Sequence, residues 1–412
     1  MNIPIQRAAA IVFYLATMVL VPLANPARGE MRFAIQEVRT LRSEEGRYFG
    51  RASLQVLADG TWVTTYIHSD HHWNCHDGQI EVMFSADEGR TWSAPNTCLD
   101  GKAVVGLPSA PSPPSSPFDP IEPYLYLAPS GELVITAMNV KTSRPRDQNG
   151  CAWITVSNDG GRSWDSWRKV TFTNLPPRQS PDHIDLTQDS FVDGKTIYAS
   201  SRIREKKRLP NGFHKAIAGL FRSADNGRTW QFVNYCDSDQ NWDRTLDCEM
   251  GIERVGPTEI VAVMRGTLQG TAPPWLTRSP DMGKSWTKMV RADPRVGSWK
   301  RPRIYTYQHL EHLSRGKNVP QWWLDRRLLG TGVDQVSAKP SMRNVGLWSS
   351  EDKGATWSPP LHLDKDTQDA GYGDMRLRKN GELVVVSYHG SHDAASVKQY
   401  VVRVDGLKTA GR

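Results

Sequence analysis

Five times along this chain the pattern Ser-x-Asp-x-Gly-x-(Thr or Ser)-Trp recurs, starting at Ser85, Ser157, Ser223, Ser279 and Ser350 and closing at Trp92, Trp164, Trp230, Trp286 and Trp357. Fixed residue types at fixed spacing, repeated every 56 to 72 residues, define a propeller or an array of like units. The chemistry of the motif accounts for its spacing. A short aspartate side chain satisfies backbone amides in a turn, and the glycine supplies a positive φ. The closing tryptophan is large and apolar, suited to wedge between neighbouring sheets, with one indole N–H to place. The motif therefore reads as a hairpin turn whose role is structural.

Ahead of each motif stand three β-like runs, as in residues 184–191, 196–201 and 216–222 before Ser223, and a fourth follows each tryptophan. Four strands per unit is the blade of a β-propeller, and the rest of the chain supplies one more blade without the motif, from 374–378, 383–388 and 399–404. Its fourth strand is expected from 32–39, which would close the ring and remove a free edge. The expected fold is thus an all-β, six-bladed β-propeller, a single domain over residues 28–412 with the N-terminal strand closing the last blade. The proline-rich stretch 106–120 reads as a loop between the first two blades. A second loop, 315–325, carries Trp322 and Trp323 in the fifth blade and either overhangs the mouth or packs outside.

Composition narrows the class. A chain 38% hydrophobic and 23% charged buries a core and is not disordered. Residues 1–7 carry one positive charge, 8–21 carry none, and small residues follow to Ala27, the pattern of an export signal over residues 1–27 too short for a membrane span. A secreted or periplasmic protein without a membrane span is expected. Its five cysteines then meet an oxidising compartment; one must stay without an intrachain partner, and Cys236 with Cys248 is the expected bridge. The net charge of +7 is scattered rather than gathered, so no nucleic-acid partner is implied, while a mildly basic surface suits anionic sugars.

The five motifs resemble the Asp boxes of the sialidase superfamily over nearly the whole mature chain. Such boxes lie on the outer rim of that fold and also occur in non-enzymatic propellers, so activity has to be read from axial residues. The resemblance implies three substrate-binding arginines that grip a sugar carboxylate through planar paired donors. Arg51 looks like the first, although Ala52-Ser53 stands where the family usually has Ile-Pro; Arg265 and Arg343 look like the second and third. Tyr372, 29 residues after Arg343, resembles the family's nucleophile, and Glu249, 16 residues before Arg265, the glutamate that activates it. A tyrosine avoids bringing an anionic carboxylate onto the reacting carbon of an anionic sugar.

The acid/base aspartate is expected in the stretch 68–77, where Asp77 and Asp70 both qualify. The same stretch holds His68, His71, His72, His76 and Cys75 without a familiar ligand spacing, so no metal or other cofactor is expected. The implied function is an exported, retaining exo-α-sialidase whose partner is an acidic glycan. The altered residues after Arg51 leave open a uronate hydrolase or lyase, and the fold leaves open a non-catalytic glycan-binding propeller.

Overall fold

Each repeated turn folds in the same way. The serine Oγ accepts from the glycine N–H at 2.7–2.8 Å and donates to the aspartate Oδ1 at 2.7–3.0 Å. The same Oδ1 accepts the backbone N–H of the seventh residue at 2.8–2.9 Å. The glycines take φ between 75° and 91°, and the residue before each, Glu88, Gly160, Asn226, Met282 or Lys353, is left-handed as well. Two consecutive left-handed residues twist the hairpin as tight β-turns require.

These turns also set sheet against sheet. A Cβ on Gly227 would collide with Tyr126, and one on Gly283 with Leu220, each on the preceding sheet. Trp230 is buried with Tyr126 edge-on at 6.3 Å, and it donates to the Gly227 carbonyl at 2.8 Å. The first turn meets the other end of the chain: Trp92 donates to Gln399 at 3.0 Å.

The computed structural model describes residues 31–72, 78–100, 120–139, 151–177, 179–181, 184–186, 189–208, 214–239, 248–266, 272–316, 321–335, 341–365 and 367–405. The described strands form five sheets with the short antiparallel connections of a propeller-like all-β fold. Three are four-stranded, with innermost strands Pro120–Leu127, Met250–Arg254 and Lys300–Thr306. A six-stranded sheet is built on Thr196–Arg208, and here the run expected at 184–191 is split into Ile184–Asp185 and Ser190–Asp193. An eight-stranded sheet runs from Asp369–Leu377 through Leu383–Gly390 and Ala395–Asp405 to Tyr48–Val56, Trp62–Ser69, Gln79–Ser85 and Asn96–Asp100. Its two halves are joined in the ladder by a single parallel pairing, Tyr48 with Ala395. Arg32–Arg42 lies antiparallel on Ala395–Asp405, so the N-terminal strand covers the C-terminal one as expected.

One helix was not foreseen. Tyr307–Leu313 follows directly on the strand Lys300–Thr306, with Thr306 Oγ1 accepting the His309 N–H at 3.1 Å as its N-cap. Trp322 stacks on His309 with ring centroids 4.4 Å apart, so that part of the 315–325 stretch packs at the C-terminal ends of the innermost strands. Residues 1–27 and the proline-rich stretch before Pro120 lie outside the described residues. Cys236 and Cys248 do come together in one buried cluster, but as two thiols and not as the expected disulfide. Burial first, and Cys248 second, push the Cys236 thiol well up.

Candidate active site

Four innermost strands share one irregularity. Tyr48–Val56, Pro120–Leu127, Lys300–Thr306 and Asp369–Leu377 each lose register with the second strand, between Gly50 and Ser53, Ile121 and Tyr124, Lys300 and Arg303, and Gly371 and Asp374. At each bulge one non-glycine residue is left-handed: Arg51 (φ 60°), Glu122 (58°), Arg301 (49°) and Tyr372 (51°). Such a conformation costs on the order of 1–3 kcal/mol and persists where the surroundings impose it, characteristically at functional sites. A bulge re-aims a side chain out of the alternating pattern. All four sit near the N-terminal ends of their strands, so they gather at one end of the axial channel.

The gathered side chains interlock. Tyr372 donates its hydroxyl to Glu122 Oε1 at 3.2 Å. The Arg301 guanidinium lies over the Tyr372 ring at 4.2 Å, and Arg51 over it at 5.5 Å. Arg301 also pairs with Glu122 and, through Nε, with Glu249 Oε1 at 2.5 Å. Arg265 Nη1 donates to the same Glu249 oxygen at 2.9 Å, and the Arg265 N–H donates to the Glu249 carbonyl at 2.9 Å. Arg343 Nη1 donates to Asp369 Oδ1 at 2.6 Å, three residues before Tyr372 on the same strand.

The expected tyrosine, glutamate and arginines therefore lie at one end of the fold, with one change of partner. Glu249 is held by Arg265 and Arg301, and the carboxylate on the phenol is that of Glu122. Sequence reasoning singled out neither Glu122 nor Arg301. A signal existed: Glu122-Pro123 and Arg301-Pro302 put a proline inside a strand, which marks an edge or a bulge.

Electrostatics tune the pair. Burial alone would raise the Glu122 carboxyl, but Arg301, Arg202 and Arg51 outweigh it and hold the group well below the carboxylate range. Burial pushes the Tyr372 phenol up, Arg301 and Arg51 pull it down and Glu122 pushes it up again, leaving it protonated at rest. The site is thus a neutral phenol on an ionised carboxylate inside a cage of guanidinium groups.

Asp70 lies in the turn after Trp62–Ser69, at the same end as Arg51 because Ser69 pairs with Tyr48; Asp77 lies outside the described residues. Beside Asp70, His72 is buried against Asp369, and Tyr48 lies 2.8 Å from its Nδ1. Burial first, partly offset by Asp369, pushes His72 down to about 4, so its ring is neutral. His72, Asp369 and His392 bring their ligand atoms within 4.8 Å of one another, the one such set among the described residues. A dication there would face the Arg343 guanidinium on Asp369 and the Arg51 Nη2 that donates to the His72 carbonyl at 2.9 Å. That charge distribution suits an anion better.

Comparison with known proteins agrees with this class of fold. No protein-family model matches the chain. A curated sialidase of Bacteroides fragilis is 25% identical over 224 residues, 53% of this chain and 36% of that protein, so the chain spans about a third of the relative's length. Among solved structures, a protein of unknown function from Dyadobacter fermentans superposes with a TM-score of 0.66 at 14% identity, covering 90% of this chain and 99% of that one. A Hadza microbial sialidase gives 0.63 at 19% identity, covering 85% and 65%, and Trypanosoma rangeli sialidase gives 0.59 at 14%, covering 86% and 53%. The chain has the sialidase-like propeller fold. No helix among the described residues is long and apolar enough to cross a membrane.

Proposed function

We propose that this protein is an exported, retaining exo-α-sialidase. The observation that carries the reading is the Tyr372 hydroxyl on Glu122 beneath Arg301 and Arg51. A sialoside carboxylate competes with Glu122 for these guanidinium groups. As it draws them off, Glu122 loses part of the field that suppresses its basicity and takes the phenol proton as Tyr372 oxygen bonds to the anomeric carbon. The bond to the leaving oxygen breaks, with its proton supplied by Asp70 or Asp77, and water then releases the sugar from the tyrosine with the same groups acting in reverse. Glu249 orients Arg265 and Arg301, and Arg343 completes the anionic grip from Asp369.

On this reading residues 1–27 are a removed signal and the rest is one six-bladed domain. The eight-stranded sheet is two blades whose strands pair only at Tyr48 and Ala395, and the Trp92 contact with Gln399 closes the ring. A second enzyme reading, action on a uronate or other acidic glycan, is favoured by the pre-pairing of Arg265 and Arg343 with protein carboxylates, since a grip already engaged suits a differently placed carboxylate. Turnover of a fluorogenic α-sialoside, measured beside a panel of uronate polysaccharides, tests both. Hydrolysis of the sialoside that disappears in Tyr372→Phe supports the first reading. Turnover of a uronate polymer alone supports the second, and binding without any turnover leaves a glycan-binding propeller.

A further inference from the structure

Further along the same strands, away from Tyr372, lies a second polar layer that the chemistry above does not use. Asp374 is its hub. Its carboxylate accepts from Leu54 N at 2.9 Å, Met375 N at 2.9 Å, Ser53 Oγ at 3.2 Å, Tyr305 Oη at 2.9 Å and Arg376 Nη1 at 3.0 Å, and it pairs with Arg303. Both guanidinium groups are buried, so two cations share one carboxylate. The nearby Asp189 accepts from the backbone N–H groups of Ile252 at 3.2 Å and Ile304 at 3.3 Å, so its carboxylate is occupied away from Arg376. Glu253 faces His309, whose Nδ1 lies 2.9 Å away.

Beyond this layer a cavity opens, lined by Gln55, Ser190, Tyr305, His309 and Arg376 and bordered by Phe191 and by Leu313 of the helix. Arg376 is completely buried, and its Nη1 is spent on Asp374 and on the Met375 carbonyl. Among the described residues its Nε and Nη2 have no hydrogen-bond partner. A buried guanidinium edge without an acceptor is among the costliest omissions in a protein interior. An arginine fork offers donors only. A small anion meets such an edge with an acceptor and with opposite charge, and a charge-assisted bond is stronger than one to water.

We infer that this cavity is a binding site for one small inorganic anion of about chloride size, gripped by the Nε–H and Nη2–H edge of Arg376. The site lies further along the strand Asp369–Leu377 than Tyr372, beyond the Asp374 layer, and its occupant is structural. It stands independently of the reaction proposed for the tyrosine. Crystals grown in sodium bromide and measured at the bromine edge give a direct reading, with wild type compared against Arg376→Met. The expected result is an anomalous peak against Arg376 in wild type and none in the variant. In parallel, wild type should melt at a higher temperature in sodium chloride than in sodium gluconate of equal ionic strength, and Arg376→Met should lose that shift. A wild-type cavity holding only water overturns the inference whether or not the variant folds, and so does a chloride-dependent shift of full size in Arg376→Met.

Discussion

Arg51, Glu122, Arg301 and Tyr372 each adopt a left-handed backbone that their side chains disfavour, and each does so at a bulge facing the axis. Four instances in equivalent strands make the bulge a device for delivering side chains, not an accident of one loop. If Tyr372 and Glu122 act as a unit, Tyr372→Phe and Glu122→Gln should each lower kcat by about 10²–10⁴-fold, and the double variant should be little worse than either. Additive losses would show that the two act separately. Glu249→Gln should behave differently, raising KM more than it lowers kcat, because it releases Arg265 and Arg301 and leaves the phenol's hydrogen bond in place. Arg343→Lys should weaken binding of acidic substrates despite keeping its charge, since an ammonium cannot reproduce a planar fork; steady-state KM values equal to wild type would remove Arg343 from the grip.

At the scale of the element, the repeated turn explains why one tryptophan per unit is worth keeping. Trp230 is buried, hydrogen-bonded to its own turn and packed on Tyr126 of the preceding sheet. Trp230→Ala should destabilise by about 3–5 kcal/mol while the folded fraction keeps its specific activity. An unchanged denaturant midpoint would mean that the turn does not join the sheets. The hydroxyl and amide network around the turn aspartates has its own signature in pH. Asp87 and Asp159 are each held down to about 2, Asp87 against the upward push of burial by bonds from Thr91 and Ser85, and Asp159 chiefly by bonds from Ser163.

For the whole molecule that signature adds to a second one. His72, ordinarily near 6.5, is pushed down to about 4, so the unfolded chain takes up its proton first, and stability should fall as pH drops from about 6.5 towards 4. The turn aspartates contribute stability that is complete above their ordinary 3.8 and is lost as pH falls through about 2. Melting temperatures across this range should fall in two stages, and His72→Gln should flatten the first; a rise on acidification from pH 6.5 to 4 would contradict the burial of a neutral His72. Removing residues up to Arg42 should leave Ala395–Asp405 with an unpaired edge, lowering the melting temperature and promoting self-association, as size-exclusion chromatography would reveal. The architecture was legible beforehand because its signals are local: a turn needs its own serine, aspartate and glycine, and a strand its own alternation, so the repeats, the last unit and its covering strand at 32–39 could be read directly. Arg51, Tyr372, Glu249, Arg265 and Arg343 were reachable through the spacing of a resemblance. The partners were not. Tyr372 lies 250 positions from Glu122, and Arg301 lies 52 from Glu249, so only the closing of sheets around an axis decides which carboxylate meets the phenol and which guanidinium covers it. The same holds for the helix after Thr306 and for the buried edge of Arg376, where what matters is that no described residue offers it an acceptor, a property no local stretch of sequence contains.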